Sequence, residues 1–148
     1  MDKSISKFKQ FVSPFGFNDT DFMTLIEFCE IVQFPKGTEI MKAGEKQNYI
    51  YYISKGIIRN YVICAEGQVR TYGFRVENML ITGYALHNYM YEYRAVVNIE
   101  CLEACEMIRI PFSALKFMEN HLQSEQHQLP YIWRREPTMF TQVIKILF

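Results

Sequence analysis

The chain lacks net charge, long apolar runs and any familiar catalytic signature, and each absence narrows what it can be. Its sixteen basic residues balance sixteen acidic ones, so the overall charge draws it neither to nucleic acid nor to an anionic membrane surface. No apolar stretch approaches the ~20 residues a membrane-spanning helix requires. The first residues, Met1-Asp2-Lys3-Ser4, are not the start of a signal peptide, and the expected location is the cytoplasm, away from membranes. There is no Gly-x-Ser-x-Gly elbow, no His-Glu-x-x-His helix and no phosphate-cradling glycine loop. The histidines are only three, His87, His121 and His127, and none stands near a candidate nucleophile. An enzyme is not expected.

Paired cysteines are scarce too. Of Cys29, Cys64, Cys101 and Cys105, only the last two are close, in a Cys-x-x-x-Cys spacing across two expected strands. That is poor support for a zinc or iron-sulfur centre. A reduced compartment and small-hydrophobe packing predict four free thiols, and no metal site is assigned.

What the chain does have is a β-rich middle. Tyr49 to Phe74 holds three runs of aromatic and β-branched residues, separated by Lys55-Gly56 and by Ala65-Glu66-Gly67-Gln68. They read as consecutive antiparallel strands joined by tight turns. Upstream, Ile5, Phe8 and Phe11 suggest a short helical turn ending near Pro14 and Gly16. Asn18-Asp19-Thr20-Asp21 then offers a helix N-cap before the apolar face of Phe22, Leu25, Ile26 and Cys29. Extended segments are expected at Cys29 to Phe34, Thr38 to Met41, Glu77 to Ile81, Tyr93 to Leu102 and Cys105 to Ile110. Tyr84 to Met90 reads as a short helix, and Pro111 as the start of another with Leu115, Phe117, Met118 and Leu122 on one face. About eight short strands with regular turn signals, flanked by helices, predict a mainly β fold rolled on itself to hide its edges. By alternation Arg59 and Arg70, on the strands flanking the Gly67 turn, point either into the roll, to bind an anion, or outward as solvated charges, and outward is the expectation because a buried unpaired arginine is costly.

The ordered set Phe34-Pro35-Lys36-Gly37, Ile40, Gly44, Tyr52-Ile53, Lys55-Gly56, Arg59, Tyr61 and Gly67 resembles the β-roll of the Crp/Fnr superfamily of regulators. Phe74 to Asn78 and Ile99 to Glu103, with Glu106 and Ile110, continue the pattern over roughly residues 15 to 122. The resemblance implies a double-stranded β-helix, or jelly roll, of the cyclic-nucleotide-binding type that senses a cyclic nucleotide or another small effector. In such relatives a Gly-Glu pair opens a short helix that cradles the phosphate, and an Arg followed by Ser or Thr and then Ala neutralises it.

The stretches matching that cassette are Thr82-Gly83-Tyr84 and Tyr93-Arg94-Ala95, the candidate ligand-binding residues. No carboxylate stands at Gly83 for a ribose hydroxyl. Counting back from Glu106 and Ile110 puts Ala95, not Arg94, at the phosphate position, and a one-residue slip turns a strand side chain to the other face. A bulge would restore Arg94. Cyclic AMP is therefore not expected to bind in the usual way. Tyr84, Tyr89, Tyr91 and Tyr93, with Leu86, His87 and Met90, either line a pocket for a different effector or simply cap the roll.

Two regions are expected: 1–122, holding the helices and the sensor roll, and 123–148, a helical segment resembling a truncated dimerisation helix. Pro130 and Pro137 interrupt it, while Trp133, Phe140, Val143, Ile144, Leu147 and Phe148 supply apolar surface to cover the roll or pair two subunits as a homodimer. A DNA-reading helix pair takes about 60 to 80 residues more, so no DNA binding is expected of these residues alone. The alternatives are a ligand-free dimeric or partner-binding module and, third, a cupin-like metal enzyme. The last needs several His and Glu converging from neighbouring strands.

Overall fold

The structure is a computed structural model that describes residues 2–15, 17–83 and 94–114. The N-terminal helix α1 (Lys3–Val12) is capped by the Asp2 carboxylate, which accepts from the Ser4 amide. A single 3-10 turn (Ser13–Phe15) ends it, so the expected short turn is a helix of almost three turns. Helix α2 (Asp19–Ile26) starts as its sequence predicts. Asn18 Oδ1 accepts from the Asp21 amide at 2.8 Å, and the Asp21 carboxylate accepts from the Asn18 amide at 3.3 Å.

Eight strands follow among the described residues: β1 (Glu30–Phe34), β2 (Glu39–Met41), β3 (Tyr49–Lys55), β4 (Ile58–Ile63), β5 (Val69–Arg75), β6 (Leu80–Ile81), β7 (Asn98–Cys101) and β8 (Cys105–Pro111). They form two four-stranded sheets, ordered β1-β8-β3-β6 and β2-β7-β4-β5. Two faced sheets exchanging successive strands make the expected roll.

Two readings change. The strands of Tyr49 to Phe74 are not three paired neighbours, because β3 pairs with β6 and β8 while β4 pairs with β5 and β7. The chain crosses between the sheets at Gly56, whose φ of +114° brings its backbone against Cys105. The strand expected from Tyr93 shrinks to Asn98–Cys101, preceded by an isolated bridge between Lys46 and Arg94. Pro111 closes β8. The helix expected at Tyr84 to Met90, the face of Leu115, Phe117, Met118 and Leu122, and the segment 123–148 lie outside the described residues.

Alternation along β3 divides the core. Ile50 and Tyr52 join Phe8, Val12, Phe22, Leu25, Ile108 and Ile110 beneath the helices. Tyr51 and Ile53 instead join Met41, Ile58, Ile81, Val97, Ile99 and Met107 between the sheets. The Phe8 ring sits 5.9 Å from Phe22 and 5.0 Å from Tyr52. Burying each such aliphatic or aromatic side chain is worth about 1.5–3 kcal/mol, which is why this sheet, covered on both faces, anchors the molecule. Polar groups tie α1 down as well. Lys7 Nζ donates to the Ser54 carbonyl at 2.9 Å, Ser54 Oγ donates to the Glu106 carbonyl at 2.9 Å, and Ser4 Oγ meets both Ser54 Oγ and the Glu106 carboxylate.

Candidate functional site

Strand β6 delivers Thr82 and Gly83 to one end of the roll. Thr82 is buried, and Gly83 has a φ of +59°, a left-handed conformation that a side chain resists. A Cβ there would stand 2.8 Å from Met41 Sδ and 3.3 Å from the Ala95 Cβ. The returning chain is fastened to the same place, since the Val96 amide donates to the Gly83 carbonyl at 2.9 Å. The Ala95 amide donates to the Glu45 carbonyl at 3.0 Å, and the Gly44 amide to the Ala95 carbonyl at 2.8 Å. Thr82, Gly83, Arg94 and Ala95 are thus brought together, whereas Tyr84 and Tyr93, like His87, lie outside the described residues.

Within that stretch the faces are plain. Ala95 is 4 % exposed and packs among the interior residues. Arg94 turns to solvent, where Nη1 donates to the Gly44 carbonyl at 2.8 Å. A methyl group, not a guanidinium, therefore faces the roll at this register.

The wall made by β4 and β5 carries charge on both faces. Outside, the Arg59 guanidinium donates to the Glu100 carboxylate at 3.0 Å and to Thr71 Oγ1 at 3.3 Å, and lies 4.3 Å over the Tyr61 ring. Tyr61 in turn donates to Glu39 at 2.7 Å. Burial, reinforced by Glu39, pushes its hydroxyl up to about 12.

Inside, the register runs Ile58 opposite Arg75, Asn60 opposite Gly73 and Val62 opposite Arg70, with a shift between Asn60 and Tyr61. That shift leaves Tyr72 as an extra residue, a β-bulge, and reverses the face of everything before it on β5. Arg70 consequently shares the face of Val62, which packs against the interior cluster. Arg70 is nonetheless exposed, the solvated charge its sequence predicts, and Arg59 faces outward as expected; the bulge changes only which face of β5 Arg70 stands on.

Two further features flank the interior. Arg109 pairs with Glu30 and lies 4.9 Å over the Tyr49 ring, with its Nε buried and unpartnered. Burial raises the neighbouring Tyr51 hydroxyl, against the lowering effect of Arg109. A surface hollow of about 430 Å³ is lined by Gln33, Phe34, Pro35, Lys55, Ala104, Cys105 and Glu106, and shares no residue with the Thr82 to Ala95 stretch. All four cysteines are free thiols. Burial pushes Cys29 and Cys101 up to about 12, far from the thiolate a ligand or nucleophile needs. Among the described residues no three His, Cys, Asp or Glu side chains converge on a point.

Sequence reasoning passed over Asn60, Gly73 and Arg75. Simple alternation could have put Asn60 and Arg75 on the inner face beside Ile58, but it misplaces Arg70 because nothing in Val69-Arg70-Thr71-Tyr72-Gly73 announces a bulge.

Residues 31–120 match the family described as the cyclic nucleotide-binding domain. The fumarate and nitrate reduction regulatory protein of Yersinia pestis is 28 % identical over 129 residues, which cover 86 % of this chain and 49 % of that protein. The chain thus spans about half the length of the curated relative it matches. The sensor domain of the transcriptional regulator DNR from Pseudomonas aeruginosa superposes with a TM-score of 0.70 at 16 % identity, over 86 % of this chain and 84 % of the other. The catabolite activator protein of Thermus thermophilus gives 0.63 at 17 % identity, over 76 % and 52 %. At those identities the superpositions speak for the fold alone, and the fold is the same two-sheet roll. With the family match running along most of the roll from β1 through β8, the chain belongs to the cyclic nucleotide-binding domain family, in the form found in Crp/Fnr-type regulators.

Proposed function

We propose that this chain is the effector-sensing roll of a Crp/Fnr-type transcriptional regulator, and that it does not take cyclic AMP in the way the family's nucleotide-binding members do. The observation that carries the second half is the register at residues 94 and 95. Arg94 is spent on the Gly44 carbonyl at the surface, and Ala95 occupies the inward position. A cyclic phosphate there would bring its negative charge against methyl groups and Met41 with no fixed cation from this strand. The absence of a carboxylate at Gly83 points the same way, because a ribose hydroxyl would lose its acceptor.

In this reading the roll works by binding, in the cytoplasm and as a homodimer, and not by catalysis. A curated protein similar to it over 129 residues is named a regulatory protein, and a structural neighbour from Pseudomonas aeruginosa a sensor domain. No described helix is long and apolar enough to cross a membrane. On sequence alone, the apolar residues between Trp133 and Phe148 are the candidates for pairing two subunits. Among the described residues no helix pair is available to enter a DNA groove, so reading of DNA is not assigned to the roll.

Titration calorimetry with cyclic AMP and cyclic GMP tests the proposal. No saturable heat is expected with either nucleotide up to about 1 mM, which bounds the affinity at roughly −4 kcal/mol. Micromolar binding of either would refute the register argument.

A further inference from the structure

Strand β5 sets Arg70, Gly73 and Arg75 in register with Val62, Asn60 and Ile58 of β4, on one face of the strand, with Arg70 exposed and Gly73 and Arg75 half-buried. Neighbours along one face of a strand are about 7 Å apart. Glycine thus lies between two arginines whose side chains are long enough to meet over it. The space above the glycine is open. A Cβ built on Gly73 would meet one atom within 4 Å, Arg75 Nη1 at 3.9 Å. Opposite the glycine, Asn60 is 5 % exposed, and its carboxamide has no hydrogen-bond partner among the described residues. Among the described residues only Arg109 Nε is sealed from solvent without a partner, so the Asn60 amide keeps contact with solvent and its donors and acceptor are open to a ligand. Neither Arg70 nor Arg75 has a carboxylate partner among the described residues either, unlike Arg59, Arg109 and Lys7. Arg75 uses one donor on the Phe74 carbonyl at 3.1 Å, which leaves most of its five N–H groups unused.

We infer that this row is an anion subsite. The two guanidinium groups and the Asn60 carboxamide receive a small oxyanion, a carboxylate or a phosphate group borne by the effector, over the bare backbone of Gly73. The inference rests on the sensor reading above and deepens it, moving the charged end of the ligand from the Thr82 to Ala95 cassette to the β4–β5 end of the sheet that holds β7. Arginine suits the task because its planar fork meets two oxygens at once. Asn60 completes the set, since its amide group donates to an anion and its carbonyl accepts from a neighbouring hydroxyl. Gly73 serves by having no side chain, so the anion can approach the strand.

The test uses the full chain with two probes, inorganic phosphate and succinate, against sodium chloride at equal ionic strength. Melting temperature and the Asn60 side-chain amide resonances are followed. Either probe is expected to raise the melting temperature saturably and shift those resonances, and the stronger of the two identifies the phosphate or the carboxylate source. Arg75→Gln should weaken the midpoint about tenfold, Arg70→Gln somewhat less, and Arg75→Lys should restore only part of it, as a point charge replaces a fork. If Arg75→Gln fails to fold, the Arg70→Gln comparison and the Asn60 resonances decide. No saturable response to about 10 mM anion, or an undiminished one in the arginine variants, overturns the inference. Adenosine, a neutral probe, separates this from the sensor reading. Saturable binding of adenosine with silence toward both anions removes only the anion row, whereas silence toward adenosine, both anions and the cyclic nucleotides removes the sensor as well.

Discussion

Replacing Asn60 by valine should make the free protein more stable. The carboxamide is 5 % exposed, faces the apolar interior beside Ile58 and Val62, and is unpartnered among the described residues. Its polar atoms keep some contact with solvent, so holding the amide there costs about 0.5–1 kcal/mol, less than for a sealed one. Valine removes the penalty, suits a strand, and meets no wall, because Gly73 opposite leaves its side open. For a chain of 148 residues, with about 2.1 cal/mol/K of unfolding entropy per residue, each kcal/mol moves the midpoint by about 3 °C. The expected gain is therefore about 1.5–3 °C by differential scanning calorimetry, with a parallel rise in the urea midpoint at unchanged slope. The same variant should lose its response to phosphate or succinate. A binding site of this kind carries its instability as the counterpart of its function. An unchanged or lower midpoint would mean that the carboxamide is already satisfied in the free protein, and the reasoning behind the anion row would fall with it.

Gly56→Ala should be far more damaging than a glycine substitution at a turn. At Gly56 a Cβ would stand 2.9 Å from Cys105 Cα with φ at +114°, and strain plus overpacking cost about 3–5 kcal/mol. At Gly67, φ is +82° with nothing within 4 Å, so alanine there should lose only about 1 kcal/mol. Equal losses in thermal melts would contradict the close sheet crossing. Alkali should also weaken the fold. Burial raises Cys29 and Cys101 from 9.0, and Tyr52 and Tyr61 from 10.0, to about 12 each. The unfolded chain then releases these protons first, so their contribution is whole below the unfolded values and disappears as pH climbs through them toward the folded ones. Urea midpoints should stay level to about pH 9 and decline steadily above it; a midpoint unaltered near pH 11 would show these groups to be accessible in the native state.

Much of this architecture was legible because local chemistry and final structure agree. Asn18 with Asp21 writes its own helix start, and the glycine turns at Gly37, Gly44 and Gly67 all adopt positive φ where the sequence breaks its strands. Sheet membership was not legible. Tyr49–Lys55 and Ile58–Ile63 are separated by only Gly56 and Ile57, as in a hairpin, yet their hydrogen bonds go to strands many residues away. Only the close approach to Cys105 reveals why the turn cannot close on itself. The candidate site divides in the same way. Counting from Glu106 put Ala95 on the inner face, and Ala95 is buried although it lies outside the ladder of β7. Alternation left the face of Arg70 open, because one unpaired residue at Tyr72 inverts the parity of β5 and bulges leave no mark in composition, while the cost of burying an arginine correctly kept it in solvent.

Tyr51 and Tyr52 are adjacent on one strand yet belong to different cores, one touching the contents of the barrel and the other the ring of Phe8. The central sheet therefore acts as a diaphragm. A displacement of Tyr51 on its inner side would have one peptide unit to cross before it reached Tyr52, whose ring packs on Phe8 of α1, the helix that the Ser4, Ser54 and Glu106 contacts tie to the sheet.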